Sequence, residues 1–324
     1  MIPFDSLSPE RQTPAGRYAP SPTGDLHLGN MRSALLAWLA ARSRGGRFVL
    51  RVEDIDLDRI VPDSAQRCLD DLRWLGLDWD GPILWQSERF DLYADRLRQL
   101  AAAGLVYACD CSRKDLREAS APHGPDGVVY PGTCRPRTLG PNDLPACRRP
   151  GEPPRQLDFA VRLRTPAEAL EFEDAFRGRL SHRVEAELGD FVLLRRDGLW
   201  SYQFACALDD ALSGVTQVVR GEDLLGSTPR QIVVARSLGL EPPREWVHVP
   251  LMLDAEGRRL AKRSGATTLR VHREAGAQPE AIRAELAASA GLIPREVKSA
   301  SLEELLEVFP GWLAQARSEM IERS

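Results

Sequence analysis

Residues 23–30 read TGDLHLGN, a histidine between two glycines, after Pro20 and Pro22 and shortly before the apolar run SALLAWLAA. A strand–turn–helix elbow of this kind aims backbone N–H groups and the positive end of a helix at one point, which suits an anion. Gly24 and Gly29 would let a ligand approach the backbone, and His27 can donate to phosphate or ribose oxygens. A lone histidine near a helix start also serves as a structural hydrogen-bonder, and the elbow alone leaves both readings open. Residues 258–269, RRLAKRSGATTL, supply a second candidate. The chain has 43 basic residues, of which only Lys114, Lys262 and Lys298 are lysine. A compact ammonium on a flexible stem suits a phosphate that moves during reaction better than a planar guanidinium does. The plainer alternative is a basic surface loop.

The elements that must position these groups alternate. GRYAPSP is extended, because Pro20 and Pro22 exclude helix there. A helical pattern runs from about residue 30 to 44, and Gly45 with Gly46 stops it. RFVLRVEDID reads as a strand leading into an acidic turn. Asp63 and Ser64 are candidate caps for SAQRCLDDLRWLG. Ser87 and Glu88 open the next helix, Gly104 ends it, and LVYACDC is again a strand. From Pro122 to Arg155, crowded proline and glycine mark an irregular insertion. Beyond it come LDFAVRLR, a GDFVLLRRDG hairpin with an Asp-Gly turn, a helical LWSYQFACALDDAL and a buried strand VTQVVRG. STPRQIVVARSLG reads as a well-capped helix with Pro229 in its first turn. After about residue 270 the pattern is helical. This rhythm predicts an α/β fold with a mostly parallel sheet.

Composition sets bounds. At 324 residues, 43% hydrophobic and 28% charged, the chain can form roughly two domains with a sizeable core. A net charge of −4 excludes a basic nucleic-acid coat, so a polyanion partner must meet a local patch. The first residues lack the basic and apolar regions of a signal peptide, and no apolar run approaches the ~20 residues of a membrane span. Six cysteines without a secretory signal do not read as a disulfide framework. The expectation is a cytoplasmic protein with no membrane partner.

HLGN and RLAKR stand where class I aminoacyl-tRNA synthetases carry their HIGH and KMSKS signatures. RYAPSPTGDLHLGNMRSALLAWL, RVEDIDLDR, DDLRWLGLDWDGP, YACDCS, GDFVLLRRDGLWSYQFACALDD, VTQVVRGEDLLGSTPRQ and HVPLMLDAEGRRLAKRSG follow the order and style of glutamyl-tRNA synthetases over residues 16–270. Some 60 residues follow Lys262, too few for the anticodon-binding region of a bacterial glutamyl-tRNA synthetase. The chain therefore resembles the truncated paralogue family, the glutamyl-Q tRNA(Asp) synthetases.

That resemblance implies a Rossmann-like parallel sheet with a zinc-bearing insertion and a C-terminal helical stem. The implied division is a first catalytic half over 1–107, the zinc insertion over 108–156, a second catalytic half with the KMSKS-like loop over 157–270, and a short helical stem over 271–324, without an anticodon-binding domain. The implied reaction activates L-glutamate with ATP and Mg2+, in the absence of tRNA. Glutamate then passes to queuosine at the wobble position of tRNA(Asp). The implied ATP site comprises Pro20, Ser21, Thr23, Gly24, His27, Gly29 and Asn30 with Arg259, Leu260, Ala261, Lys262 and Arg263, of which His27 and Lys262 are catalytic. The implied glutamate site comprises Arg17, Ser21, Glu53 for the α-ammonium, Tyr202, and Arg220. A guanidinium at Arg220 gripping the side-chain carboxylate would select glutamate over glutamine. Without the resemblance, Glu53 reads as a solvated strand-end charge, Tyr202 as a helix-packing aromatic and Arg220 as an ion pair with Glu222 or Asp223.

One Zn2+ is implied at Cys109, Cys111, Tyr130 and Cys134. A C-x-C at a strand end plus a distant cysteine can form three corners of a tetrahedron. Cys147 and His123 rival Tyr130 as fourth ligand, and Cys68 and Cys206 read as core residues. The expected partners are ATP, L-glutamate and tRNA(Asp) carrying queuosine, and the expected state is a monomer. Three departures from the family pattern are Asn30, the Ala261–Arg263 loop chemistry, and a long stretch between Cys111 and Tyr130. The competing readings are a truncated glutamyl-tRNA synthetase charging a tRNA 3′ end, and an inactive zinc-containing RNA-binding module.

Overall fold

The computed structural model describes residues 13–112, 114–115, 123–124, 127–252 and 268–321. Strand β1 (Ala15–Tyr18) pairs in parallel with β2 (Arg47–Val52), and β2 with the short β3 (Leu84–Trp85). Next along the chain come β4 (Val106–Cys109), the two-residue strands β5 (His123–Gly124) and β6 (Gly127–Val128), and β7 (Ala160–Leu163). The hairpin β8 (Ala169–Asp174) and β9 (Gly178–Arg183) precedes β10 (Val192–Leu194), β11 (Gln217–Gly221) and β12 (Glu245–Val249). β12 pairs in parallel with both β11 and β8, and β9 runs antiparallel at the outer edge.

The two parallel groups meet where β1 lies beside β11, with Thr216 N–H donating to Ala15 O at 2.9 Å. The chain leaves β1 toward β2 on one side and β11 toward β12 on the other. At such a reversal the loops beyond the two strand ends part, and open α/β sheets bind ligands there. The expected mostly parallel sheet is present. A second, antiparallel sheet of β4, β7 and β10 lies outside it and bears the cysteine-rich insertion.

Helix α1 (Leu28–Arg42) is buried on every side, because its apolar residues run all around it rather than along one stripe. Leu35 and Leu39 share one core with Phe48 and Leu50 of β2 and with Ile282, Leu286, Leu305 and Phe309 of the C-terminal helices. A second core joins β7, β10 and the helices Phe90–Ala102 and Tyr202–Leu212. Among the described residues no helix is long and apolar enough to cross a membrane.

Two caps differ from expectation. Asp63 precedes the helix Ser64–Trp74 in a left-handed conformation (φ 59°) and makes no side-chain cap bond. The Ser64 hydroxyl instead donates to Pro22 O at 2.7 Å, tying this helix to the loop after β1. The helix Ser227–Ser237 follows Gly226 and likewise has no side-chain cap.

Candidate active site

The loop after β1 turns at Gly24 (φ 125°) and enters α1 through His27. His27 Nδ1 accepts the Asn30 N–H at 3.3 Å, and Asn30 Oδ1 accepts the His27 N–H at 3.3 Å. Asn30, a departure from the family pattern, thus closes a reciprocal cap. The cap also fixes the histidine tautomer: with Nδ1 accepting, a neutral ring carries its proton on Nε2, as a donor. Gly29 makes room for that ring, since a Cβ there would stand 3.0 Å from its Cε1 and Nδ1.

A cleft of about 600 Å3 opens at the ends of β1 and β11. Its wall includes Pro20, Ser21, Thr23, His27, Gly29 and Asn30 on one side and Arg17, Glu53, Tyr202 and Arg220 on the other. Gly24 shapes the turn without lining the cleft. Residues 259–263, with Lys262, lie outside the described residues. Their flanks frame the same opening: Leu251 and Met252 line it, and Thr268 forms an antiparallel bridge with His27.

Beneath the cleft lies a buried charge network. Asp210 accepts from Arg17 Nε at 3.3 Å and from Arg51 Nη1 at 2.6 Å, and Arg51 Nη2 reaches Glu53 at 3.0 Å. Burial would raise the Asp210 carboxyl, but Arg51 and Arg17 outweigh it and hold it below the usual range. Burial pushes the Glu53 carboxyl up, and the two arginines offset this only in part. Cys206 is not a plain core thiol, for its Sγ stands 3.1 Å from Arg51 Nη2 and 3.7 Å from Asp210.

Arg220 has a different setting. Its Nε donates to His248 Nε2 at 3.0 Å, its Nη2 to Thr228 Oγ1 at 2.7 Å, and its Nη1 to Gln231 Oε1 at 2.9 Å and Tyr202 OH at 3.4 Å. The expected alternative, an ion pair with Glu222 or Asp223, is absent among the described residues. Glu222 instead pairs with Arg177 and accepts the Leu251 N–H. Among the described residues all the hydrogen bonds of this buried guanidinium go to neutral acceptors, so no carboxylate is bonded to it directly, and Asp210 acts on its charge only from a distance.

The cysteine cluster is separate. The Sγ atoms of Cys109, Cys111 and Cys134 lie within 4.8 Å of one another, and none of the six cysteines forms a disulfide. Tyr130 OH stands 3.4 Å from Cys109 Sγ and 3.8 Å from Cys111 Sγ. Zinc–sulfur bonds of about 2.3 Å at tetrahedral angles need sulfurs about 3.8 Å apart, and the Cys111 and Cys134 sulfurs stand 3.5 Å apart with all three within 4.8 Å, so the donor set is compatible with that metal. Cys147 packs in the second core with Leu139 and Val161, away from the three thiols. The His123 side chain lies outside the described residues. In the polypeptide by itself, burial and the Cys109 neighbour push the Tyr130 hydroxyl up, a shift that a bound dication opposes.

Residues 15–306 match the family model of the catalytic domain of class I tRNA synthetases for E and Q. Across 282 residues the chain is 52% identical to the glutamyl-Q tRNA(Asp) synthetase of Nocardia farcinica, covering 87% of this chain and 86% of that one. The chain belongs to the glutamyl-Q tRNA(Asp) synthetase family. The family member from Symbiobacterium thermophilum is 50% identical over 308 residues, 91% of either chain. Among solved structures, the glutamate tRNA ligase of Elizabethkingia meningosepticum, crystallised with its amino acid, superposes with a TM-score of 0.71 at 29% identity. That match covers 91% of this chain, which spans 64% of the ligase. Mycobacterium tuberculosis methionyl-tRNA synthetase, at 12% identity and a TM-score of 0.52, shares the fold.

Membership of this glutamyl-Q tRNA(Asp) synthetase family makes the chain a ligase that uses ATP, glutamate and tRNA. Its cleft contains groups that sequence reasoning did not place there. Arg32 lines it from α1 and donates to Pro250 O, and Asp223 lines it beyond β11. Asp210 and Arg51 carry the network beneath. The signal was faint: Asp210 closes ALDD one position after Asp209, and their divergent roles need the helix rotation to be seen. Asp209 instead accepts Gln86, Arg89 and Tyr93, each at 2.7 Å.

Proposed function

We propose that the chain activates L-glutamate with ATP, in the absence of tRNA, and transfers it to queuosine at the wobble position of tRNA(Asp). The observation that carries this is one cleft lined by His27, Gly29 and Asn30 together with Arg17, Ser21, Glu53, Tyr202 and Arg220. An anion-binding elbow and a complementary amino-acid site face the same space.

Glu53 takes the α-ammonium, while Arg220, with no carboxylate bonded to it, takes the side-chain carboxylate. Arg17 and Ser21 orient the α-carboxylate. One of its oxygens attacks the α-phosphorus of ATP. The P–O bond to the β-phosphate breaks, pyrophosphate leaves with the electron pair, and a mixed anhydride remains. His27 donates from Nε2 to phosphate oxygens, and Lys262 follows the charge that develops on the leaving pyrophosphate. Mg2+ accompanies ATP and supplies neutralisation of its phosphate charge. A hydroxyl of the cyclopentene-diol then attacks the anhydride carbonyl and loses its proton, and AMP departs. The chain's contribution is positioning and electrostatics, with no covalent intermediate on a side chain.

Zinc, held by Cys109, Cys111 and Cys134 with the Tyr130 oxygen, supplies a structural clamp for the insertion. We retain as part of this proposal the division at 1–107, 108–156, 157–270 and 271–324, the monomeric state and a cytoplasmic location.

ATP–pyrophosphate exchange with L-glutamate in the absence of any tRNA tests the first half-reaction. Exchange is expected. Exchange that appears only after tRNA(Glu) is added would identify a synthetase that charges the tRNA 3′ end.

A further inference from the structure

Behind Arg220, on the side away from the cleft, three neighbouring strands carry a chain of polar groups. Arg220 lies on β11, His248 on β12 directly opposite it in register, and Asp174 at the end of β8. Asp174 Oδ2 stands 2.6 Å from His248 Nδ1 and also accepts the His248 backbone N–H at 3.0 Å. His248 and Thr228 are fully buried, and Asp174 is 4% exposed. Arg220 lines the cleft, whereas His248 and Asp174 do not.

The proton positions follow from the partners. The Asp174 carboxylate accepts, so His248 Nδ1 carries a proton. Arg220 Nε–H donates to Nε2, so Nε2 carries none. His248 is thus a neutral acceptor with one fixed tautomer. Thr228 closes the pattern: its Oγ1 accepts from Arg220 Nη2 at 2.7 Å and lies 3.2 Å from His248 Nε2, near enough to donate to it. One edge of the guanidinium, Nε with Nη2, is clamped by two neutral acceptors. A carboxylate in their place would neutralise the cation that the substrate must meet.

We propose that Asp174, His248 and Thr228 form a positioning frame that sets the orientation of Arg220 and keeps its charge available to the substrate's side-chain carboxylate. The proposal rests on the reading of Arg220 as ligand of that carboxylate. The frame touches neither substrate nor reacting atoms and acts through Arg220. It therefore governs glutamate affinity and the preference for glutamate over glutamine, and leaves ATP binding alone.

The test compares H248L, H248Q, T228V and R220L in ATP–pyrophosphate exchange, with the KM for glutamate, the KM for ATP and the glutamate-to-glutamine ratio of kcat/KM as readouts. A hydrogen bond to a charged group is worth a factor of roughly ten or more, so H248L and T228V should raise the glutamate KM by about tenfold or more and lower the ratio, at unchanged ATP KM. The amide side chain introduced by H248Q can place an oxygen near the position of Nε2, and H248Q should return the glutamate KM to within about threefold of the parent. A merely structural role for His248 would not give that pattern of loss and rescue. If H248L, or T228V should H248L fail to fold, keeps the parental glutamate KM while R220L loses it, the frame is wrong and the reading of Arg220 stands. If R220L also keeps the parental glutamate KM and ratio, the reading of Arg220 itself fails.

Discussion

Arg220 and Glu53 place opposite charges on one cleft, and in the proposed reaction they meet opposite ends of the same substrate. Burial holds the Glu53 carboxyl above its ordinary range. An incoming ammonium favours the ionised form, so substrate binds the deprotonated enzyme more tightly. Glutamate affinity should therefore be full above the raised Glu53 pKa and fall as pH drops through it, at a pH higher than an exposed glutamate would give. A titration of the glutamate KM against pH checks this, and E53Q should abolish both the dependence and most of the affinity. In the proposed reaction Lys262 is the other decisive residue. Replacing it with alanine should cut adenylate formation by more than about tenfold, because a charge on the departing phosphates is lost. Zinc content should not change, and parental exchange activity in that variant would remove Lys262 from the mechanism.

At the scale of elements, much of the cleft could be read in advance. The proline-bracketed turn, the glycines and the helix start predicted the elbow, and the elbow lies on the cleft wall. The prolines after it marked β1 as extended, alternation placed β2, and short apolar segments placed β4 and β11. The hairpin β8–β9 and strand β12 were not read, and with them went Asp174 and His248. Their importance comes from a pairing across strands that are distant in sequence, which no local pattern records. The Asp63 cap failed for a related reason: the neighbouring Ser64 hydroxyl serves Pro22 across the sheet's end instead. The cysteine-rich insertion shows the opposite case, since the family resemblance named three cysteines far apart in sequence and their thiols do converge. Cys134→Ser should lower bound zinc, measured by metal analysis, from one per chain to well below that, and should lower the melting temperature. Full zinc retention in the variant would place the metal elsewhere.

For the whole molecule, the sheet reversal between β1 and β11 brings residues from both ends of the sequence to one cleft. The family matches run through 86% and 91% of two glutamyl-Q tRNA(Asp) synthetases, whereas this chain spans 64% of the glutamate tRNA ligase of similar fold. Where the activated glutamate goes is the central question, and it belongs to this scale because the acceptor is a macromolecule rather than a group in the cleft. The direct measurement incubates the protein with ATP, labelled L-glutamate and tRNA(Asp) with or without queuosine, then locates the label after nuclease digestion. Label is expected on the anticodon fragment, only when queuosine is present, and stable to removal of the 3′ end. Label on the 3′-terminal fragment, or equal labelling of tRNA lacking queuosine, would overturn the assignment.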